Sequence, residues 1–159
     1  MEDAINVQIN NEMWSSNLYL AMSAYCTHLG LNGFARWMDV QASEEMEHAK
    51  DMMNYLQSRG GRVMIKPVAA VDSDFGKPLD IAETFYKQEC EVSAMIEGLI
   101  RLAREEKDMA TENFFWKYIT EQVEEESNAM GLVDDFRLAE DNKGAILFLD
   151  RELGGRVEE

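Results

Sequence analysis

Glu45 and His48 lie three residues apart in the run Glu44-Glu45-Met46-Glu47-His48. On an α-helix that spacing sets a carboxylate and an imidazole one turn apart on the same side, where they can grip one cation. Phe34, Met38, Ala42, Ala49, Met52 and Leu56 recur at helical spacing, and the pair falls inside the apolar stripe they draw. An ionised carboxylate buried alone is costly, so it needs a partner, and a metal ion is one that also rewards the adjacent imidazole. Three further acids interrupt apolar stripes elsewhere: Glu12, Glu89 and Glu125, the last of them three residues after Gln122. Carboxylate-rich ligation with a single imidazole suits iron or manganese better than zinc, whose structural sites favour Cys and His.

The elements that carry these groups read as helices. A first helix is expected from about Asp3 to Leu29, with Ile5, Ile9, Ser16, Tyr19, Leu20, Ser23 and Ala24 inward and Glu12 on that face. A second follows from about Phe34 to Arg59, stopped by Gly60-Gly61, so the two form an antiparallel hairpin. The stretch from Arg62 to Pro78 holds both prolines and no helical period. It is long enough to run the length of a ~40 Å helix, which makes the next helix parallel to its predecessor. The third helix is expected from Asp80, read as its N-cap with Glu83 completing a capping box, to about Lys107. The fourth runs from about Ala110 to Leu138, and a short fifth from Ala145 to Leu153. A helix that short cannot bury itself; it is expected to pack against another subunit or, alternatively, to cap its own bundle.

Residues equidistant from an antiparallel turn lie level. Glu12 and Glu45 are equally far from the first turn, and Glu89 and Glu125 from the second, so all four acids can converge near mid-bundle with His48 and Gln122 beside them. Four acids at one height inside a core are a metal site rather than a solvated surface.

Composition agrees. A formal charge of -16 and a pI near 4.4 exclude nucleic acid and anionic membranes as partners and suit cations. The 159 residues are expected to form one domain, with the bundle over about 3–138 and the terminal helix over 145–153. Cys26 and Cys90 fit neither a disulfide framework nor a Cys-based metal site and read as buried thiols. With no leader pattern and no apolar run of the ~18 to 20 residues a bilayer requires, a cytoplasmic protein is expected.

The constellation resembles the ferritin-like di-iron bundles, which take one Glu from each of two helices and Glu-x-x-His from each of the other two. Glu12 with Glu45-x-x-His48 matches one half. The other half departs, because Glu89 is joined by Gln122-x-x-Glu125 and Asn128 takes the place of a second His. In that departure the chain is similar to prokaryotic non-haem ferritins more than to bacterioferritins. The resemblance spans nearly the whole chain and implies an all-α, ferritin-like four-helix bundle with a long crossover between the second and third helices and a short fifth helix.

It also implies chemistry. Glu12, Glu45 and His48 would hold one iron, with Glu45 bridging to a second held by Glu89 and Glu125, and Gln122 and Tyr19 nearby. Glu44, Glu121 and Glu124 would serve a third, interior-facing iron site. The implied activity is that of a ferroxidase in iron storage: Fe(II) is oxidised by dioxygen or peroxide, and Fe(III) is mineralised inside a homo-oligomeric shell of 24 subunits. No haem is expected, although Met46 occupies the position at which bacterioferritins clamp one. A haem-containing bacterioferritin is the nearer alternative, and a di-iron oxygenase or peroxidase, which would need a substrate pocket, the more distant one.

Overall fold

A computed structural model describes residues 1–155 and contains five helices: α1 (Glu2–His28), α2 (Asn32–Ser58), α3 (Pro78–Glu105), α4 (Met109–Ala139) and α5 (Lys143–Leu153). The expected single domain extends to 159, and residues 156–159 lie outside the described residues. The α1–α2 turn is set by Gly30, whose φ of 80° lets Leu31 N reach back to Cys26 O at 2.9 Å and close the end of α1. No helix among the described residues is long and apolar enough to cross a membrane.

Cross-helix hydrogen bonds fix the registers. Ser16 Oγ and Ser23 Oγ donate to Ala42 O and Ala35 O at 2.6 and 2.8 Å, which makes α1 and α2 antiparallel. Gln88 Nε2 donates to Ser15 Oγ at 3.0 Å and Asn11 Nδ2 to Met95 Sδ at 3.2 Å, so α3 runs antiparallel to α1. Tyr55 and Thr111 share a hydroxyl bond of 2.8 Å and Tyr118 donates to Asp51 at 2.7 Å, so α4 runs antiparallel to α2. By these registers α2 and α3 are parallel, as the crossover requires. Asn6 secures the start of that crossover, donating to Arg62 O at 2.9 Å and accepting from Met64 N at 2.8 Å.

The apolar core is divided in two. One cluster gathers Tyr19, Met22, Phe34, Trp37, Phe85 and Phe136 towards the α1–α2 turn. The other gathers Ile9, Met52, Leu56, Ile96 and Phe115 towards the opposite end. Between them α1, α2, α3 and α4 contribute Glu12, Glu45, Glu89 and Gln122, all buried.

Two expectations are corrected, and of the two readings of α5 the cap on its own bundle is the one seen. Asp80 does not cap α3: Lys77 holds the cap position, Pro78 opens the helix with its φ already suited to it, and Asp80 Oδ2 accepts from Lys77 N at 2.7 Å. Glu83 instead meets Arg137 at 3.2 Å. Leu20 and Ala24, read as inward, are both exposed, because α1 buries a narrower stripe than its apolar residues suggest. Finally, α5 docks on its own bundle. Ile146, Leu149 and Leu153 pack against the first core cluster, and Asp150 Oδ1 accepts from Phe34 N at 2.9 Å in the first turn of α2. Only the outer face of α5, with Leu147 and Phe148 exposed, is left for another surface. Gly33 allows this approach, since a Cβ there would lie 1.6 Å from the carbonyl oxygen of Asp150.

Candidate metal centre

The polar layer between the two core clusters contains the carboxylates that the helix registers bring level. Glu12 is 1% exposed, Glu45 4% and Glu89 0%. One ligand atom each from Glu12, Glu45 and His48 lie within 4.8 Å of one another. Glu12 Oε1 accepts from Gln8 Nε2 at 2.8 Å, while Glu12 Oε2 and Glu45 Oε2 are buried with no hydrogen-bond partner. His48 Nδ1 lies 3.5 Å from Glu45 Oε2. Two orphaned carboxylate oxygens beside an imidazole nitrogen form a pocket of acceptors, and a cation satisfies all of them at once.

The α3–α4 side is paired differently. Glu89 Oε1 accepts from the Tyr19 hydroxyl at 2.5 Å and Oε2 from Gln122 Nε2 at 3.1 Å. Glu125, only half-buried, accepts from Gln41 Nε2 at 2.9 Å, and the same amide nitrogen reaches Glu44 Oε2 at 3.1 Å. Tyr19 is wholly buried, with its ring edge-on to Phe85 at 4.9 Å.

Burial sets the electrostatics. It pushes the Glu12 carboxyl well above its usual range, and the neighbouring Glu45 pushes it further. Glu45 is raised by burial and by Glu89. Glu89 is raised by burial, against the opposing hydrogen bonds from Tyr19 and Gln122. The Tyr19 phenol is raised by burial and by Glu89. A layer in this condition takes up protons more readily than free carboxylates do, and a cation binding there competes with them.

The remaining predicted residues divide between two places. Glu44 and Glu124 line an open groove of about 720 Å³ between α2, α4 and α5, with Glu125, Trp37, Asn128 and Asp135. Glu121 is absent from that lining, and its Oε2 lies 3.6 Å from His48 Nε2. Met46 is half-buried on α2. Cys26 is buried, its thiol pushed up to about 12 by burial, and Cys90 is only half-buried.

Sequence reasoning passed over Gln8 and Gln41. Each is a buried amide one turn before an acid, Gln8 before Glu12 and Gln41 before Glu44 and Glu45. That spacing is the signal that could have found them, because side chains three or four apart on a helix are neighbours.

Comparison with known proteins agrees with this geometry. A family model described as a ferritin-like domain matches residues 2–139. The chain is 44% identical over 156 residues to the bacterial non-heme ferritin of Bacteroides fragilis, covering 98% of this chain and 97% of that one. It is 34% identical over 155 residues to the bacterial non-heme ferritin of Staphylococcus aureus, covering 98% and 93%. An open pore ferritin from the hyperthermophilic archaeon Archaeoglobus fulgidus superposes with a TM-score of 0.97 at 44% identity, covering 99% of this chain and 97% of that one.

Proposed function

The chain belongs to the non-haem ferritins, proteins of iron storage, and from that premise we propose that it oxidises Fe(II) at the polar layer and stores the Fe(III) as a mineral inside a shell of 24 subunits. The observation that carries the reading is the pair of unpartnered buried oxygens on Glu12 and Glu45 beside His48. Fe(II), as substrate, enters there first. A second Fe(II) is taken by Glu89 and Glu125, with Glu45 between the two positions and Gln122 at the edge. The four carboxylates then match the charge of two Fe(II) ions, and they stabilise Fe(III) more strongly than Fe(II), which favours electron loss. Dioxygen accepts one electron from each ion and two protons, leaving two Fe(III) and hydrogen peroxide. Tyr19, bonded to Glu89, occupies one oxygen of that carboxylate until iron takes it and can serve as a further electron donor.

Product leaves by the acidic groove. Glu125 belongs to the centre and also lines the groove with Glu44 and Glu124, so those three carboxylates form a stepwise exit and a third position for iron. The exposed outer face of α5, with Leu147 and Phe148, supplies part of the contact between subunits. Met46 packs against a neighbouring subunit and binds no haem, so the visible spectrum of the isolated protein should lack a haem band. A band lost in Met46→Leu would return the protein to the bacterioferritin alternative.

The decisive experiment is anaerobic loading with two Fe(II) per subunit, followed by mixing with oxygenated buffer. Oxidation within seconds and uptake of further iron into a particle of shell mass are expected. A metal-free monomer that oxidises Fe(II) no faster than buffer would overturn the proposal.

A further inference from the structure

Two grooves approach the polar layer between different helices, and their linings are opposite in character. The groove between α2, α4 and α5 carries Glu44, Glu124, Glu125 and Asp135. A second groove, of about 380 Å³, lies between α1 and α3, and none of its lining residues is charged. Val7, Met95, Leu99 and Leu102 supply its apolar walls. In a chain with 31 acidic residues and a net charge of -16, an uncharged groove of that size is a sorted surface rather than an average one. Its two amides are engaged with neighbours: Asn11 Nδ2 donates to Met95 Sδ at 3.2 Å, and Gln8 Nε2 donates to Glu12 Oε1 at 2.8 Å. Gln8 is only 2% exposed, so it forms the floor, and its partner Glu12 belongs to the candidate metal centre. The groove therefore ends one side chain away from that centre. Gly98 keeps it open, since a Cβ there would have nothing within 4 Å. Glycine inside a helix weakens it relative to alanine, and here no close packing is gained in return.

A hydrated cation entering this groove would shed water with no carboxylate to replace it. Dioxygen carries no charge and is poorly hydrated, so it leaves water for apolar walls readily. We propose that the α1–α3 groove binds dioxygen and delivers it to the centre past Gln8 and Glu12, so that gas and metal use separate grooves. Gln8 then has two surfaces, one against the gas and one holding Glu12. The inference rests on the reading of the polar layer as a centre that oxidises Fe(II) with dioxygen.

The test has one arm without metal and one with Fe(II), both on the assembled protein. Xenon is the probe for the first, because it settles in apolar pockets and has no redox chemistry under these conditions. Xenon-pressurised crystals of the metal-free protein should show the gas beside Gly98, and Gly98→Leu, which fills the space, should displace it. In the second arm the protein is loaded anaerobically with two Fe(II) per subunit and mixed with limiting dioxygen. Gly98→Leu should lower the second-order rate by about 10-fold, because obstruction acts on the association step, and Gly98→Ala should fall between it and the wild type. Fe(II) affinity measured anaerobically should not change. Hydrogen peroxide, which is polar and hydrogen-bonding, should enter by the acidic groove and react at the same rate in all three proteins. A wild type that takes up no xenon there, or a Gly98→Leu protein that loses xenon but keeps its dioxygen rate, overturns the proposal. An equal fall with peroxide, or a loss of Fe(II) affinity, overturns it in favour of a distorted centre. A wild type that binds xenon but oxidises no Fe(II) sinks the iron-oxidation reading and the route with it, and is recognised by failing before any substitution is made.

Discussion

The two halves of the polar layer each contribute two carboxyl groups and treat them differently. In the α1–α2 half, Glu12 and Glu45 each leave an oxygen without a donor, and the only amide support comes from Gln8. In the α3–α4 half, both oxygens of Glu89 accept hydrogen bonds, from Tyr19 and from Gln122. The first half can thus receive a cation without giving up a neighbouring donor, at the cost only of the protons its raised carboxyls take up. The second must give up or share donors before it can bind. On the proposed function, two positions that a sequence pattern presents as near-equals should be filled in order, Glu12–Glu45–His48 first.

The comparison breaks most visibly at Glu45, which faces both halves. Glu45→Ala should slow the rapid oxidation phase by about 100-fold or more in stopped-flow, because neither position is complete without it. A normal fast phase would remove Glu45 from the centre. The metal-free protein should move the other way. Glu12, Glu45 and Glu89 all have folded-state values raised above the usual 4.5. Such groups stabilise the fold fully below the unfolded value, and that contribution is lost as pH rises through the raised folded values. Urea unfolding of the metal-free chain should therefore show stability falling from about pH 5 towards pH 8. Glu45→Gln, which keeps the shape, should flatten that slope and gain about 1 to 3 kcal/mol at pH 8. A slope equal to that of the wild type would mean the three acids share no electrostatic strain.

Finer substitutions sharpen the contrast between the halves. Tyr19→Phe removes a donor that the second Fe(II) has to displace. Calorimetry should show the second equivalent tightened by about 2-fold to 10-fold with the first untouched. A weaker second equivalent would mean that Tyr19 helps to hold iron rather than competing with it. Gln122→Ala should produce the smallest change, a shift of the second equivalent of less than about 5-fold, since its amide also rests on the Glu89 carbonyl and on Ser93. An effect on the first equivalent as large as on the second would erase the distinction between the halves.

Much of this was legible in the residues. Turn positions alone bring Glu12 level with Glu45, because an antiparallel hairpin turns distance along the chain into height in the bundle, whereas across the second hairpin the residue that meets Glu89 is Gln122, one turn before Glu125. The crossover direction followed from its length. Which acids retain unpartnered oxygens was not legible, since that depends on amides such as Gln8 and Gln41 whose reach is decided by rotamers rather than by spacing. Glu121 and Glu124 are three apart on one helix, yet one turns towards His48 and the other towards the groove. Nor could the cap of α3 be read correctly: Asp80 offered the expected residue type, but Pro78 had already begun the helix. The docking of α5 depended on a contact between residues more than a hundred positions apart, which no local pattern reports.

That contact gives the molecule a separate adjustment screw. Gly33 touches the backbone of α5 so closely that one added methyl group must push the terminal helix outward, and Asp150 would be drawn off the start of α2 with it. The candidate metal centre, at Glu45 and His48, lies about three turns further along α2, away from that contact. A single hydrogen-sized position thus sets the angle at which Leu147 and Phe148 meet their surroundings. Curvature of any assembly built on that face could be tuned there, one atom at a time, while the chemistry inside each subunit stays the same.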